Sequence, residues 1–237
     1  TFSYPGSKQN ALRDVNLTLK KGQTLGIAGT TGSGKTTILS LLLKFYDAPR
    51  GSIFIDGRDI CDIPAADIRS GVGYVAQDGF LFSDTVTNNI SFYSGKDTEQ
   101  VKRAAELAEI ASDIMDFSKG YETAVGERGT RLSGGQKQRI SLARALVRDP
   151  QLLLLDDTLS AVDNITEKKI IANLQRVLKG RTSIIVSHRL SALRDCDLII
   201  YMENGRIIEQ GTHESLCAAN GRYAAAYAEQ SEVECDG

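Results

Sequence analysis

The feature that most constrains this chain is a glycine-rich loop between a β-rich stretch and an amphipathic one. Residues Thr24 to Ala28 favour a strand, residues 29–36 have the sequence GTTGSGKT, and apolar residues recur at helical spacing from Lys35 to Phe45. A strand, a G-x-x-x-x-G-K-T loop and a helix in this order form the context that a phosphate-binding loop requires. The alternative, a simple glycine-rich turn, does not account for the lysine and threonine that end the loop.

Each residue type in this loop has a chemical task. The glycines let the backbone curl, so that successive N–H groups and the helix N-terminus face a β-phosphate. Lys35 neutralises charge on the β- and γ-phosphates, and the Thr36 hydroxyl coordinates magnesium. The loop therefore predicts binding of ATP with Mg²⁺. The residues assigned to the nucleotide here are Gly29, Thr30, Thr31, Gly32, Ser33, Gly34, Lys35, Thr36 and Thr37.

The composition limits the other possibilities. With 237 residues, 41% of them hydrophobic, the chain is long enough for one or two domains with an apolar core. A formal net charge of -2 without blocks of like charge gives no electrostatic reason to expect nucleic acid as a partner. The longest apolar runs, such as Leu152 to Leu155, are far shorter than the roughly 20 residues of a membrane-spanning helix. The scattered cysteines favour neither a zinc site nor a disulfide framework: Cys61, Cys196, Cys217 and Cys235.

Strand-like and helical stretches alternate along the chain. Apolar residues recur at helical spacing over Lys35–Phe45, Gly134–Val147 and Ile165–Val177. Between these stretches lie short apolar runs, several of them typical of strands buried on both faces. This alternation predicts an α/β core with crossover helices. The predicted strands are Thr24–Ala28, Ile53–Ile55, Val72–Ala76, Leu152–Leu155, Thr182–Val186 and Leu198–Tyr201.

The pattern becomes helical between about residues 79 and 145. Thr98–Ala111 has helical spacing, and no convincing buried strand occurs in this part of the sequence. Asp97, followed three residues later by Gln100, is typical of a capping box that opens a helix. We therefore predict a helical subdomain inserted into the ATP-binding core. The predicted boundaries are 1–78 and 146–237 for the core and 79–145 for the helical subdomain.

A carboxylate follows the apolar run that ends at Leu155. In an α/β sheet this position, Asp156, would emerge beside the phosphate-binding loop, where it can orient the magnesium shell through water. An aspartate at a strand end can also simply cap a helix. The loop upstream favours the functional interpretation, which makes Asp156 a second metal residue beside Thr36.

The segment Leu132–Gln136, LSGGQ, precedes a helix rich in arginine and alanine and resembles the signature of ABC-type ATPases. Further segments are similar to other motifs of that family, in the same order along the chain. These are the Q-loop at Tyr74–Gln77, the D-loop at Ser160–Asp163 and the switch histidine in Ser187–Arg189. The resemblance covers essentially the whole chain. It implies a P-loop NTPase fold, with a RecA-like parallel core, an antiparallel β subdomain and the inserted helical subdomain.

Membership of this family implies two such domains stacked head to tail. ATP on one P-loop would be completed by the signature of the opposite domain, here Ser133, Gly134, Gly135 and Gln136. The amides at the start of that helix would form an anion-facing N-terminus for the γ-phosphate. Ser160 and Asp163 would cross the dimer interface, although both residue types also cap helices.

The resemblance also assigns roles around the nucleotide. Tyr4 is similar to the aromatic residue that stacks on adenine, although a surface tyrosine before a Pro-Gly turn is the alternative. Gln77 would contact magnesium or the attacking water, and His188 would reach the γ-phosphate and that water. With Lys35 and Asp157 these two residues form the predicted catalytic group. The predicted metal residues are Thr36, Gln77 and Asp156.

Two loops resemble those of exporters within the family. Val125–Gly129 is similar to the X-loop, and Phe80–Val86 follows the Q-loop in a similar way. Glu127 and the segment Phe80–Phe82 would then contact the coupling helices of a transmembrane domain, with solvated loop residues as the alternative. The chain would work at the cytoplasmic face of a membrane. Because Tyr4 lies almost at the chain start, the strand that normally precedes it is expected to be trimmed.

One residue departs from the family pattern. After Asp156 the family usually places a glutamate that polarises the attacking water, but this chain has Asp157, one methylene shorter. Phosphoryl transfer depends on positioning, so we expect ATP binding to survive better than hydrolysis. The substitution resembles the degenerate half of heterodimeric exporters, whose partner carries the glutamate. A regulatory ATP-binding module that hardly hydrolyses, or a soluble ABC ATPase acting on nucleic acid or ribosomes, are the alternatives.

Overall fold

The computed structural model describes residues 1–92, 94–126, 129, 131–178 and 180–235. The chain falls into two compact units. The first unit comprises Thr1–Val72 and the chain from Ser183 onward, and the second comprises Gly73–Thr182. Among the described residues, no helix is both long enough and apolar enough to cross a membrane. The subdomain boundaries predicted from the sequence stay a prediction.

Strands and helices alternate as the sequence predicts, and the α/β P-loop fold is confirmed. The strands are β1 Thr24–Gly29, β2 Phe54–Ile55, β3 Arg58–Asp59, β4 Val72–Val75, β5 Leu152–Asp156, β6 Thr182–Val186, β7 Leu198–Glu203 and β8 Arg206–Gly211. The α-helices are α1 Lys35–Leu42, α2 Ala65–Ser70, α3 Val86–Ser91, α4 Thr98–Leu107, α5 Ala111–Asp116, α6 Gly134–Val147, α7 Asn164–Leu178, α8 His213–Ala218 and α9 Arg222–Cys235.

β1 is the central strand of the first unit. It pairs in parallel with β6 on one side and β7 on the other, so that Gly26 lies opposite both Ile185 and Ile199. Leu25 and Ile27 on this strand are fully buried, as expected for a parallel strand covered on both faces. β8 then pairs antiparallel with β7. The carboxyl end of β1, where the glycine-rich loop begins, is therefore fixed by neighbours on both sides.

A separate antiparallel hairpin, β2 and β3, lies in the same unit. Asp56 and Gly57 form its turn, both at positive φ. A two-residue turn with positive φ at both positions matches the right-handed twist of a hairpin, and Asp-Gly is a preferred pair for it. The sequence predicts only the first of these strands.

The second unit contains β4, β5 and helices α3 to α7. The predicted capping box of α4 is confirmed, because Gln100 N–H donates to the Asp97 carboxylate at 2.8 Å and Asp97 N–H donates to the Gln100 amide oxygen at 3.2 Å. The helix predicted to run to Ala111 ends at Leu107 instead. Glu109 has a φ of 53°, which no helix continues, and α5 begins at Ala111.

Gly29→Ala is expected to destabilise the first unit strongly. Gly29 has a φ of 137°, and a Cβ at this position would lie 2.1 Å from the Met202 carbonyl oxygen on β7. Because residue 29 and Met202 lie on paired strands of one sheet, the clash should cost about 4 kcal/mol or more of unfolding free energy, as measured by urea denaturation.

Gly32→Ala is the matched control for this loop. Gly32 also has positive φ, at 77°, but a Cβ there would meet nothing within 4 Å. Only the conformational penalty of about 1–2 kcal/mol applies. Equal losses in the two variants would contradict the assigned contact with β7.

Candidate functional site

The loop after β1 is shaped by its glycines. Gly29, Gly32 and Gly34 all have positive φ, at 137°, 77° and 99°. A Cβ on Gly34 would lie 2.8 Å from the Ala11 carbonyl oxygen, whereas Gly32 faces open space. The outer two glycines therefore allow close backbone packing, and the central one leaves the loop open for a ligand to approach.

Lys35 and Ser33 both have buried polar groups in this loop. Lys35 is only 6% exposed, and its Nζ donates to the carbonyl oxygens of Gly29 and Thr30, each at 2.8 Å. The Ser33 Oγ is buried and has no hydrogen-bond partner within the described parts of the chain. A buried cation and a buried hydroxyl without a partner fit an anion with several acceptor oxygens, such as a nucleotide phosphate. Thr36 is exposed at the first turn of α1, where its hydroxyl can serve as an oxygen ligand for Mg²⁺.

Tyr4 is joined to the helix that follows the loop. Its hydroxyl and the Thr37 Oγ1 lie 2.8 Å apart, within hydrogen-bond distance. The Tyr4 ring packs edge-on against Tyr46, with centroids 4.8 Å apart and planes at 81°, and against Phe2 at 5.3 Å. Its position is therefore fixed on several sides, which favours a prearranged stacking surface over a free surface tyrosine.

His188 is exposed, and its backbone is held by the C-terminal helix. Gln230 on α9 donates from its Nε2 to the His188 carbonyl oxygen at 2.8 Å and accepts from Leu190 N–H at 2.8 Å. Ser187 N–H also donates to the Ile27 carbonyl oxygen on β1. The sequence gives no sign of Gln230, because a glutamine in a polar helix end has no distinctive pattern.

In the second unit, β5 ends at a buried carboxylate, Asp156, and a second one, Asp157, follows it directly. Asp156 is 3% exposed and Asp157 is 7% exposed. Burial, with the charges of Asp156 and Asp78, raises the pKa of Tyr74 on β4 to about 12. Asp157 has a φ of 48°, an unfavourable region for a residue with a side chain, which the surrounding structure must stabilise.

The signature segment forms a capping box. Gln136 N–H donates to the Ser133 Oγ at 3.2 Å, and Ser133 N–H donates to the Gln136 Oε1 at 3.0 Å. Asp113 accepts from the Gln136 Nε2 and pairs with both terminal nitrogens of Arg139. Burial alone would raise the pKa of Asp113, but these hydrogen bonds and the Arg139 charge lower it below its ordinary value. A negative charge therefore anchors the first turn of α6.

The segment after Asp157 contains the helix cap that the sequence suggests for it, while the crossing of a dimer interface stays a prediction. Asp163 Oδ1 accepts from the N–H groups of Ile165 and Thr166, so it caps the start of α7 as predicted. The Thr166 hydrogen bond is the main cause of a lowered pKa at Asp163. Ser160 instead donates from its Oγ to the Asp157 carbonyl oxygen at 2.9 Å.

Three exposed aromatic rings lie together, and two of them belong to the predicted exporter segment Phe80–Val86. Phe82 stacks with Phe92 at 5.1 Å and meets Phe80 edge-on at 5.1 Å. The Arg144 guanidinium lies over Phe82 and Phe92 and donates to the Phe80 and Asn89 carbonyl oxygens. Burial lowers the pKa of Arg144 to about 10. Glu127 and Arg128 of the predicted X-loop lie outside the described residues.

The two units divide the predicted site residues between them. Tyr4, the loop from Gly29 to Thr37 and His188 belong to the first unit. Gln77, the signature from Ser133 to Gln136, Asp156 and Asp157 belong to the second. The individual roles assigned to these residues stay predictions.

The fold and the loop define the class of protein, a P-loop nucleotide-binding domain. Residues 12–160 match the model of the family described as ABC transporter. The chain belongs to the ABC transporter family, and its span corresponds to the ATP-binding domain of exporter-type members.

The proteins similar to this chain include a multidrug resistance transporter, a lipid flippase and an ABC exporter. A probable multidrug resistance ABC transporter ATP-binding/permease protein, YheI, of Bacillus subtilis is 49% identical over 231 residues, which are 97% of this chain and 40% of that protein. The ATP-dependent lipid A-core flippase of Salmonella typhimurium is 44% identical over 94% of this chain and 39% of the flippase. The structure of a bacterial Atm1-family ABC exporter with ATP bound superposes with a TM-score of 0.93 at 41% identity, over 97% of this chain and 41% of that chain.

The chain spans about 40% of the length of these relatives. Family membership supports ATP binding and ATPase activity in the matched region. The transported substrate, the membrane domain and the partner domain are features of a complete transporter, and this chain matches only part of one.

Proposed function

We propose that the chain is the ATP-binding and ATP-hydrolysing motor domain of an ABC exporter, which binds MgATP and pairs with a second such domain. The loop carries this proposal, because its open centre at Gly32, the buried Lys35 cation and the unpartnered Ser33 hydroxyl together suit a phosphate chain. Mg²⁺ would bring charge neutralisation at the phosphates when bound. Thr36 is the first-unit residue that can coordinate it.

The signature supports the pairing. Ser133 and Gly134 are exposed at the N-terminus of a 14-residue helix, although the Ser133–Gln136 capping box orders them. The Ser133 hydroxyl accepts from Gln136 N–H, so its own proton can be donated to an incoming oxygen. An ordered, exposed helix start of this kind suits the phosphates of a nucleotide held by another domain.

Asp157 supports the proposal that the two paired nucleotide-binding domains are not identical. A carboxylate one methylene short of glutamate should hold the attacking water poorly, so the site to which it contributes would bind ATP and hydrolyse it slowly. The partner would be a non-identical domain that carries the glutamate, and the signature of this chain would complete the faster site. A regulatory module that hardly hydrolyses ATP is the second candidate, favoured by the same residue.

The remaining partner would be a transmembrane domain. The exposed aromatic rings of Phe80, Phe82 and Phe92 offer apolar surface for its coupling helices. The name of the Bacillus subtilis relative joins ATP-binding and permease parts in one protein, which supports such a partner. The domain would then lie at the cytoplasmic face of the membrane, and no nucleic acid partner is expected.

A charge change at Ser133 tests the pairing. Aspartate and asparagine both cap helices as well as serine does, so Ser133→Asp and Ser133→Asn should both preserve the start of α6. Only Ser133→Asp places a negative charge against the incoming phosphates. We expect it to weaken MgATP-dependent association of the purified chain about a hundredfold by analytical ultracentrifugation, because like charges at an interface cost several kcal/mol. Ser133→Asn, which adds no charge and can still donate from its side-chain amide, should associate much more tightly than Ser133→Asp.

Binding of MgATP to the loop should be unaffected in both variants, as measured by isothermal titration calorimetry. A wild-type chain that binds MgATP but associates neither with itself nor with a second ABC nucleotide-binding domain that carries the glutamate would contradict the pairing. Equal association by the two variants would contradict the role of the signature in it.

A further inference from the structure

One buried amide connects the signature helix to two other segments of the site. Gln138 lies on α6 and is 5% exposed. Its Nε2 donates to the Gln77 carbonyl oxygen at 3.3 Å and to the Ser160 Oγ at 3.1 Å. Its Oε1 accepts from Ala161 N–H at 3.0 Å. Both ends of the amide are therefore used, and each partner belongs to a segment outside α6.

The partners of Gln138 follow two different strands. Gln77 comes after β4, and Ser160 and Ala161 come after β5. Loops at these positions make few regular backbone hydrogen bonds, so a side chain that satisfies their polar groups also fixes where they lie. The amide thus ties the Q-loop and the D-loop to one rigid helix.

Close backbone packing reinforces the same junction. A Cβ on Gly135 would lie 2.8 Å from the Ala161 carbonyl oxygen, and a Cβ on Gly79 would lie 3.1 Å from Gln138 N. A side chain at residue 135 would force a shift of the backbone, and one at residue 79 would make an unusually tight contact, so α6 packs directly against both segments. A shift of either segment therefore has to be accompanied by a shift at Gln138.

The hydrogen bonds continue from Gln138 to Asp157. Ser160 accepts from Gln138 and donates from the same Oγ to the Asp157 carbonyl oxygen at 2.9 Å. Asp157 has the left-handed φ of 48° and is buried. An unfavourable backbone conformation persists only where the surrounding structure holds it. The hydrogen bonds from Gln138 through Ser160 hold the carbonyl group of Asp157.

We propose that Gln138 is a positioning residue for ATP hydrolysis, which holds the Asp157–Ala161 turn in register with the Q-loop and the signature helix. It touches no nucleotide and acts through Ser160 and Ala161. This inference rests on the proposed role of Asp157 in hydrolysis. A buried glutamine that serves only stability would leave the position of Asp157 unchanged when it is replaced.

Gln138→Met tests the proposal. Methionine keeps the length and apolar packing of the side chain and removes all three hydrogen bonds. We expect kcat for ATP hydrolysis by the purified chain to fall at least tenfold, with the Kd for MgATP within twofold of the wild-type value. Gln151→Met, at an exposed position before β5, is the matched control and should change neither quantity.

A double-mutant cycle separates positioning from stability. If Gln138 acts through Ser160, Ser160→Ala should lower kcat by much less in the Gln138→Met background than in the wild type. The proposal would be wrong if the two substitutions lowered kcat by independent factors. It would also be wrong if kcat stayed at the wild-type value in Gln138→Met. A drop in melting temperature with unchanged kcat would assign Gln138 to stability alone.

Hydrogen–deuterium exchange tests the geometry without ATP turnover. The Ala161 amide proton is the one bonded to Gln138, so its exchange should speed up at least tenfold in Gln138→Met. Unchanged exchange over residues 157–162 would overturn the inference even if the chain hydrolyses ATP. A wild type that binds no MgATP, with faster exchange in the variant, would instead contradict the proposed function and leave the positioning contact established.

Discussion

Replacing Lys35 with methionine is expected to weaken MgATP binding by the purified chain about a hundredfold. Charge-assisted hydrogen bonds contribute about 1.5–3 kcal/mol each, and 1.4 kcal/mol is a tenfold change in Kd. Lys35 is buried at the base of the loop, where its charge is poorly screened by water. Isothermal titration calorimetry with MgATP measures the change, and methionine preserves most of the apolar packing of the lysine stem.

Lys21→Met is the matched control. Lys21 is exposed in the turn before β1, at the end of the strand opposite the loop. The same loss of one positive charge should leave its affinity for MgATP within twofold of the wild type. Because the Lys35 ammonium also bonds the Gly29 and Thr30 carbonyl oxygens, thermal unfolding of both variants checks that the loop stays folded. Unchanged affinity in a folded Lys35→Met chain would contradict the assignment of the loop.

Features whose determinants are close in sequence could be predicted. The loop from Gly29 to Thr36 combines a buried strand, glycines and a helix start within a few residues, and the structure has all of them. The bounds predicted for α6, Gly134–Val147, match the observed helix. The capping box of α4 could be predicted because both of its partners lie three residues apart.

Elements with a weak hydrophobic pattern or no break signal could not be predicted from the sequence, and the reason is physical. β8, Arg206–Gly211, alternates between partly buried and exposed residues and lies at the edge beside β7, so it lacks the continuous apolar run of a central strand. The predicted helix Thr98–Ala111 contains no glycine or proline to mark its break. Only the positive φ of Glu109, adopted in the folded chain, shows where α4 and α5 separate.

Long-range side-chain contacts at the site could not be predicted either. Gln138 bonds a carbonyl group 61 residues away, and Gln230 bonds one 42 residues away. A glutamine in an otherwise ordinary helix carries no local signal of such a partner, because only the folded topology brings the two together. The motifs therefore identify the groups proposed to meet the nucleotide, and the structure identifies the residues that hold them.

Replacing Asp157 with glutamate is expected to raise ATP turnover by the purified chain at least tenfold. The added methylene moves the carboxylate by about 1 Å, and a misplacement of that size can cost about a hundredfold in rate. Affinity for MgATP should change little, because Asp157 is not among the residues predicted to bind the nucleotide or the metal. Phosphate release under saturating MgATP measures the gain, and Asp157→Asn, which removes the charge at constant size, should lower turnover below the wild-type rate.

Asp149→Glu is the control for the positive φ of the backbone at Asp157. Asp149 also lies in the second unit at positive φ, 55° against 48° for Asp157, but it is exposed and pairs with Arg181. Glutamate tolerates this backbone region less well than aspartate, so both substitutions carry a similar conformational cost. Only Asp157→Glu lengthens the side chain at the position proposed to hold the attacking water. If Asp157→Glu lowers or leaves turnover unchanged while both chains stay folded, the slow-site proposal is wrong, and the regulatory module becomes the better description.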